Sequence, residues 1–476
     1  MSEDLWSAAE LQALFGPPSA PLAAAVTGVS IDSRSLSPRD LFIAIKGDAL
    51  DGHDYVERAF AAGAAAALCD EGRTGDLARF GPVFAAADTL RAMERLGVAA
   101  RARSRAHIAA VTGSVGKTSA KEMLRLALSA SGATHASAAS FNNHWGVPLT
   151  LSRLRADSNY AVFEIGMNHA GEIAPLVGFV RPHVALITTI APVHIEYLGS
   201  MEAIADAKAE IFSGVVPGGV AVINADAPQF ARLAAAARAR GLEVRAFGSS
   251  AGHARLLSCE PNETGSRLRV KLDEREYEFM LGAPGRHMAE NAVGVLAVVE
   301  ALGADVRAAA EALAGFAPQK GRGERFSLPM PDGALTIIDE SYNANPVSMR
   351  AALALLGATQ TGGRGRRIAV IGDMLELGAE SAALHVGLAP DLEANRVDLL
   401  FAAGPLSRHL YEAIPATRRG HWAERAEALS APLFAALRGG DVIMIKASNG
   451  SRMGPLVAAL KAHFSTNEKR DQQDQC

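Results

Sequence analysis

A three-domain α/β protein is the fold that the sequence predicts, and three observations carry it. The chain has 476 residues, enough at roughly 150 residues per domain for about three separate cores. Apolar strand-like runs alternate with alanine- and leucine-rich helical stretches for most of the length, the pattern of mostly parallel sheets covered by helices. Two stretches interrupt that alternation: an arginine-rich helical run at 86–106 and the breaker-rich Pro318-Gln319-Lys320-Gly321-Arg322-Gly323. The expected parts are a small N-terminal α/β domain at 1–85, a central domain at 86–317, a C-terminal domain at 318–465 and a polar, disordered tail at 466–476.

In the first domain Leu41 to Ile45 reads as a strand and Tyr55 to Ala67 as a helix. The second opens on a strand from His107 to Val111, then a glycine turn and the amphipathic run KEMLRLALSASG, with further strands expected at Tyr160 to Ile165, Val184 to Ile190 and Val220 to Ile223. This alternation describes one doubly wound domain. The third has strand candidates at Leu335 to Ile338, Ile368 to Ile371, Leu399 to Ala402 and Val442 to Ile445, with a helical pattern from Ser348 to Leu356, an order that is Rossmann-like. The glycines at 362–365 read as a solvated turn, because no helix start follows them.

Composition excludes several classes. With 49% hydrophobic and 21% charged residues, neither a disordered chain nor a coiled coil fits. A net charge of −4 leaves no basic excess for a nucleic-acid backbone or an anionic membrane, so an anionic ligand must be held locally. Cys69, Cys259 and Cys476 give neither a disulfide framework nor zinc-site spacing, and a reducing cytoplasm is expected. The start Met1-Ser2-Glu3-Asp4 is acidic where a secretory leader is basic, and no apolar run approaches the roughly 18 residues of a membrane span, so neither export nor membrane insertion is expected.

The sharpest local signal is Val111-Thr112-Gly113-Ser114-Val115-Gly116-Lys117-Thr118-Ser119, between an apolar strand and an amphipathic helical run. Glycines at 113 and 116 let backbone N–H groups approach phosphate oxygens, and the helix N-terminus adds its dipole. Lys117 reaches the β- and γ-phosphates, and Thr118 offers a hydroxyl to Mg²⁺. Ser114, Val115 and Ser119 complete the phosphate-binding loop of a central ATPase-type domain. The full pattern places another glycine where this chain has Val111, so a glycine turn that only caps a helix remains the alternative. A nucleotide allows two reaction classes. A motor ATPase needs an apolar strand ending in paired acids, which Thr336-Ile337-Ile338-Asp339-Glu340 supplies, but far beyond Lys117 and across the breaker-rich stretch. The other class is a ligase.

Stretches along the whole chain favour the ligase: DSR at 32–34, KGDALDGHDY at 46–55, TGSVGKTS at 112–119, FNNHWGVPLT at 141–150 and FEIGMNHAGEI at 163–173. They continue with APVHIEYLGSMEAIADAKAEIF at 191–212, NADAP at 224–228, GRHMAENA at 285–292, GRGER at 321–325, DESYNANP at 339–346 and IGDMLELG at 371–378. In this order and spacing they resemble the Mur ligase family of peptidoglycan synthesis. The Ser-Tyr-Asn-Ala-Asn-Pro and Gly-Asp-Met-Leu-Glu-Leu-Gly stretches resemble its D-alanyl-D-alanine-adding branch, and the Asp-Asn-Pro-Arg stretch of the diaminopimelate- and lysine-adding branch is absent. The resemblance implies that ATP phosphorylates the carboxylate of UDP-N-acetylmuramoyl-tripeptide and that the amine of D-alanyl-D-alanine displaces phosphate from the acyl phosphate; another Mur-type amide ligation is the alternative. Such chemistry needs positioning and charge neutralisation, with no enzyme nucleophile. ATP, Mg²⁺ as two ions, and a monomeric enzyme are implied.

By the same resemblance Lys117, His194 and Lys208 are the catalytic residues, and Thr118, Glu164, His194 and Lys208 hold magnesium. An ammonium at Lys208 beside two Mg²⁺ ions would be repelled by several kcal/mol at low effective dielectric, of order 332/(εr); carbamylation, found in some members, makes it an anion. Asn291 and Arg322 match positions near the nucleotide and Asp339 the acid that binds ribose, while Lys446 lies where the family has Lys-Gly-Ser and this chain has Ala447 for the glycine. Ser33, Arg34 and Lys46 match the uridine diphosphate region, Asn142 and Asn143 the muramoyl-peptide region, and Tyr342, Asn343 and Asn345 the dipeptide region. Taken as residues alone, Glu164 serves equally as a helix cap, His194 as a loop histidine, Lys208 as a solvated ammonium and the Tyr342, Asn343 and Asn345 group as a turn. Glu340 replaces the second aspartate often found there.

Overall fold

The computed structural model describes residues 4–47, 49–138, 140–193, 195–262 and 264–473, with 465–473 described by their backbone. Three sheets follow one another along the chain. The first has four parallel strands in chain order, Gly28–Ser30, Asp40–Ile43, Ala66–Asp70 and Val83–Ala86. Asp40–Ile43 is buried along its whole length, as a strand covered on both faces must be. The helix expected at 55–67 is shorter: a 3₁₀ turn at Gly52–Tyr55 leads into Val56–Ala61, Gly63 turns the chain at φ 95°, and Ala66 and Ala67 already belong to a strand. An alanine run carries no period with which to separate a helix end from a buried strand.

The second sheet has nine strands. From one edge the order is Arg275–Leu281, Ser266–Leu272, Ala254–Pro261, Glu243–Gly248, Val220–Asn224, Val184–Ile187, His107–Thr112, Tyr160–Glu164 and Thr134–Ala136. The six later strands in this order are parallel and Ala254–Pro261 joins them in parallel, while the two strands beyond it form an antiparallel meander. That meander was not foreseen. Ser266–Leu272 alternates buried and exposed residues, the mark of a strand covered on one face. The helix Arg286–Ala301 packs on the sheet and is buried over most of its length. His107–Thr112 lies between Tyr160–Glu164 and Val184–Ile187, so the chain reverses its order of strand addition there, where ligands gather in doubly wound sheets.

The third sheet runs Glu324–Met330, Gly333–Glu340, Val442–Lys446, Arg367–Gly372, Leu399–Ala403 and Arg419–Ala423; the first two form an antiparallel hairpin and the rest are parallel. Irregular chain links it to the second sheet, with Gly321 and Gly323 at φ 74° and 100°. The last helix, Met453–Gln473, corrects the expected disordered tail: its backbone stays helical through 466–473, and 474–476 lie outside the described residues. Glu, Lys, Arg and Gln are good helix formers, and a helix whose first turns are packed extends over them without a new nucleation step. Among the described residues no helix is long and apolar enough to cross a membrane.

Candidate active site

The strand His107–Thr112 ends one residue before Gly113 and the helix Lys117–Ser129 begins at Lys117. Val111, where the phosphate-loop pattern has a further glycine, is thus a strand residue. Gly113 and Gly116 adopt φ 148° and 86°; a Cβ at Gly113 would collide with Thr188 Oγ1, and one at Gly116 would stand 2.7 Å from the Asn291 amide. Further bonds shape the loop from the neighbouring strand end: Ser114 N–H donates to Thr189 O at 2.7 Å, Ser114 Oγ to Ala191 O at 3.0 Å, and Thr188 Oγ1 to Val115 O at 2.6 Å. Lys117 Nζ folds back to donate to Gly113 O at 2.8 Å.

Glu164 ends the adjacent strand and is buried. Ser140 Oγ stands 3.2 Å from Glu164 Oε1 and 3.1 Å from Thr118 Oγ1, and Asn142 Nδ2 donates to the same Glu164 oxygen at 2.7 Å. Hydroxyl and carboxylate oxygens thereby face each other beside the phosphate loop, a donor set suited to Mg²⁺, which takes oxygen ligands. Arg322 reaches across from the linker, its Nη2 3.5 Å from Ser140 Oγ and its guanidinium 4.0 Å above the Tyr342 ring. One cleft is lined by Ser114 through Ser119, Asn142, Glu164, Asn291, Arg322, Tyr342, Asn343, Asn345 and Lys446. It brings together groups from the second and third sheets.

Burial pushes the Lys117 ammonium below the usual lysine range, with Glu164 opposing the shift and Arg322 adding to it. Lys208, on the helix Met201–Ala209, is 1% exposed, and its Nζ hydrogen-bonds to none of the described residues. Its pKa is held far below the ordinary value by burial first and by the Lys117 charge second. Burial likewise lowers the His287 pKa, with the Glu340 charge opposing the shift.

Other expected positions lie elsewhere. Asp339 is buried behind the cleft, its carboxylate accepting from Gly321 N–H and Ser341 N–H, both at 3.1 Å. With Glu340 paired to Lys446 in the third sheet, the acidic strand end does not stand beside the phosphate-loop strand as a motor ATPase would need. Ser33 is buried and Arg34 exposed in the first sheet's region, Arg34 paired with Asp32 at 2.7 Å. Lys46 is exposed, and the Gly47 beside it abuts the Trp145 ring, so this turn meets the 141–145 loop. Asn143 Oδ1 accepts at 2.9 Å from the N–H of Gly146, the first residue of the helix Gly146–Ser152, and Asn345 is the N-cap of Pro346–Ala358, its Oδ1 accepting from Ser348 N–H at 2.9 Å. His194 lies outside the described residues. Sequence reasoning missed Ser140 and His287: the first had no motif of its own, and the second stood inside GRHMAENA without being singled out.

Comparison with known proteins gives these features a family. Sequence profiles match in three segments: the Mur ligase family catalytic domain at 25–125, the Mur ligase middle domain at 111–299, and the Mur ligase glutamate ligase domain at 321–449. A UDP-N-acetylmuramoyl-tripeptide–D-alanyl-D-alanine ligase from Escherichia coli (strain K12) is 35% identical over 436 residues, covering 91% of this chain and 93% of the relative. The enzyme of the same name from Bacillus subtilis (strain 168) is 33% identical, with 91% and 93% covered. MurF from Acinetobacter baumannii superposes with a TM-score of 0.80 at 29% identity, covering 96% of this chain and 98% of the other. The fold is shared as well with MurF from Thermotoga maritima in complex with ADP, at a TM-score of 0.76 and 22% identity over 92% of this chain and 98% of the other. From the phosphate loop to the third sheet, the chain belongs to the Mur ligase family.

Proposed function

We propose that this protein joins D-alanyl-D-alanine to UDP-N-acetylmuramoyl-tripeptide at the expense of ATP, giving the pentapeptide precursor of peptidoglycan. The observation that carries this reading is the meeting in one cleft of Lys117, Thr118, Glu164 and Arg322, in a chain whose relatives bear that ligase name over nine-tenths of their length. The ADP named with the Thermotoga maritima structure supports a nucleotide at the loop.

In this reading Lys117 and Arg322 neutralise the phosphate charge that builds up as the tripeptide carboxylate attacks, and loop N–H groups orient the β- and γ-phosphates. Thr118 and Glu164 hold Mg²⁺, with His194 and Lys208 completing the set; the ion, when bound, supplies charge neutralisation on the transferred phosphoryl group. Burial and the Lys117 charge favour the neutral amine of Lys208, the form that adds CO₂ with release of a proton, and the resulting carbamate anion would be attracted by the Lys117 charge that disfavours an ammonium there. Asn291 and Asp339 serve the nucleotide, Ser33, Arg34 and Lys46 the uridine diphosphate, Asn142 and Asn143 the muramoyl peptide, and Tyr342, Asn343 and Asn345 the dipeptide. The division at 1–85, 86–317 and 318–465 assigns those duties to three domains, with the linker as hinge. The enzyme works as a cytoplasmic monomer.

Phosphate release from ATP, measured with each substrate alone and with both, tests the proposal. Release should require the UDP-muramoyl tripeptide and become sustained only when D-alanyl-D-alanine is also present. Rapid hydrolysis without the peptide would favour the motor reading instead.

A further inference from the structure

Lys121 lies outside the cleft and is fully buried, one turn beyond Thr118 on the helix that follows the phosphate loop. Its Nζ donates to Ser137 O at 2.8 Å and to Glu122 Oε1 at 2.5 Å, and Glu122 Oε2 accepts in turn from Arg125 Nε at 2.8 Å. Taking an ammonium out of water is costly, and an apolar side chain of similar volume is often as stable or more so at such a site. A reason beyond stability is therefore needed for a lysine at this position.

The geometry supplies one. Residues three apart on a helix lie on one face. Thr118 and Lys121 meet Ser140 and Ser137 in reverse chain order: Thr118 Oγ1 lies 3.1 Å from Ser140 Oγ, and Lys121 Nζ donates to Ser137 O. These two rungs span three residues on each side. From the far end of this ladder Ser140 and Asn142 reach Glu164 Oε1 at 3.2 and 2.7 Å. Removal of the Lys121 rung takes away the helix's hold on Ser137 O, and the Ser140 hydroxyl then has less support in placing itself between Thr118 and Glu164.

We infer that Lys121 is a positioning residue, whose ammonium ties the phosphate-loop helix to the Ser137 carbonyl, three residues before Ser140, and thereby fixes the spacing of Thr118, Ser140 and Glu164. This rests on the reading of Thr118 and Glu164 as metal donors. Supporting groups behind metal ligands typically affect metal affinity by about 10- to 100-fold when removed.

The test is Mn²⁺ binding to the ADP-bound full chain, followed by electron paramagnetic resonance, together with ADP affinity measured by calorimetry in the absence of metal. Lys121→Met should weaken Mn²⁺ binding about tenfold and leave metal-free ADP affinity within about twofold, and Lys121→Arg, which keeps a donor, should recover part of the loss. Ala138→Gly, at an exposed position between Ser137 and Ser140, keeps the tie but softens its transmission and should weaken Mn²⁺ about threefold. Mn²⁺ affinity within twofold of wild type in a folded Lys121→Met overturns the inference, as does an equal loss of metal-free ADP affinity. If Lys121→Met does not fold, Ala138→Gly decides, and unchanged Mn²⁺ affinity overturns it. A wild-type ADP complex that takes up no Mn²⁺ rejects the metal reading itself.

Discussion

Glu340 and Lys446 are register partners on adjacent parallel strands of the third sheet, and the Lys446 ammonium stands 3.1 Å from Glu340 Oε2. The same ammonium donates to Asn343 O at 2.9 Å, so one buried cation holds both the strand end and the loop that lines the cleft. Breaking a buried pair by removing one partner leaves the other charge uncompensated and costs about 3 to 5 kcal/mol, even where the pair itself adds little net stability. Glu340 retains some exposure, 13% of its side chain, so the low end applies. Lys446→Met should lower the urea-unfolding free energy by about 3 kcal/mol; a loss below about 0.5 kcal/mol would mean that water replaces the ammonium at Glu340.

Lys117→Met should abolish ligation with little change in fold. The side chain is half-buried at the first residue of the helix after the phosphate loop, and among the described residues its Nζ hydrogen-bonds to the Gly113 carbonyl. Removal of a group that stabilises charge only in the transition state costs about 10² to 10³ in rate. The expected result is at least that loss in kcat with thermal unfolding close to wild type. Activity within tenfold of wild type in the folded variant would sink the assignment of Lys117 to the phosphates.

The sequence announced those parts of the site in which one backbone requirement dictates residue type. Gly113 and Gly116 are needed for their positive φ and for close approach to Thr188 and Asn291, and a lysine and threonine behind them are legible at once. Parallel strands buried on both faces were equally legible, because continuous apolar runs such as Val442 to Ile445 have no competing helical period. Ser140 was not legible: a serine in a loop has many ordinary uses, and its role exists only because Thr118, Glu164 and Arg322 converge on it from distant elements. The meander 254–281 was missed because its strands alternate apolar with Arg, Lys and Glu, which weakens an apolar-run signal.

Acid should destabilise the protein through its buried histidines. His135, on the edge strand Thr134–Ala136, is pushed down to about 4 by burial, against the hydrogen bond between its Nε2 and Thr150 O at 2.8 Å. Burial also lowers His183, His287 and His385. An unfolded histidine titrates near 6.5. Below that pH the unfolded chain binds more protons than the folded one, so stability is complete above about pH 6.5 and falls as pH drops toward about 4, by as much as about 3 kcal/mol for His135 alone. Urea unfolding at pH 7.5 and 5.0 checks this: His135→Gln should lose less stability over that interval than wild type, and identical losses would contradict it.

The state of Lys208 gives the last prediction. Its amine is buried without a hydrogen bond to the described residues, and the Lys117 charge adds to burial in favouring the neutral form. If it remains a plain amine, Lys208→Ala should cost little activity and added small acids should change nothing. If it carries CO₂ as a carbamate, alanine removes an anionic oxygen donor from the Mg²⁺ site and leaves a hole of about the right size for a small carboxylate. Mg²⁺ accepts oxygen at about 2.0 to 2.1 Å from whichever molecule supplies it. Activity should then fall by about 10² or more, in line with loss of a group that neutralises transition-state charge, and millimolar acetate should restore part of it. Carbon-13 magnetic resonance of wild type equilibrated with labelled bicarbonate should show a carbamate signal that Lys208→Ala lacks. Near-wild-type activity of the alanine variant, or no difference between the two spectra, would reject the carbamate and leave Lys208 as a buried neutral amine.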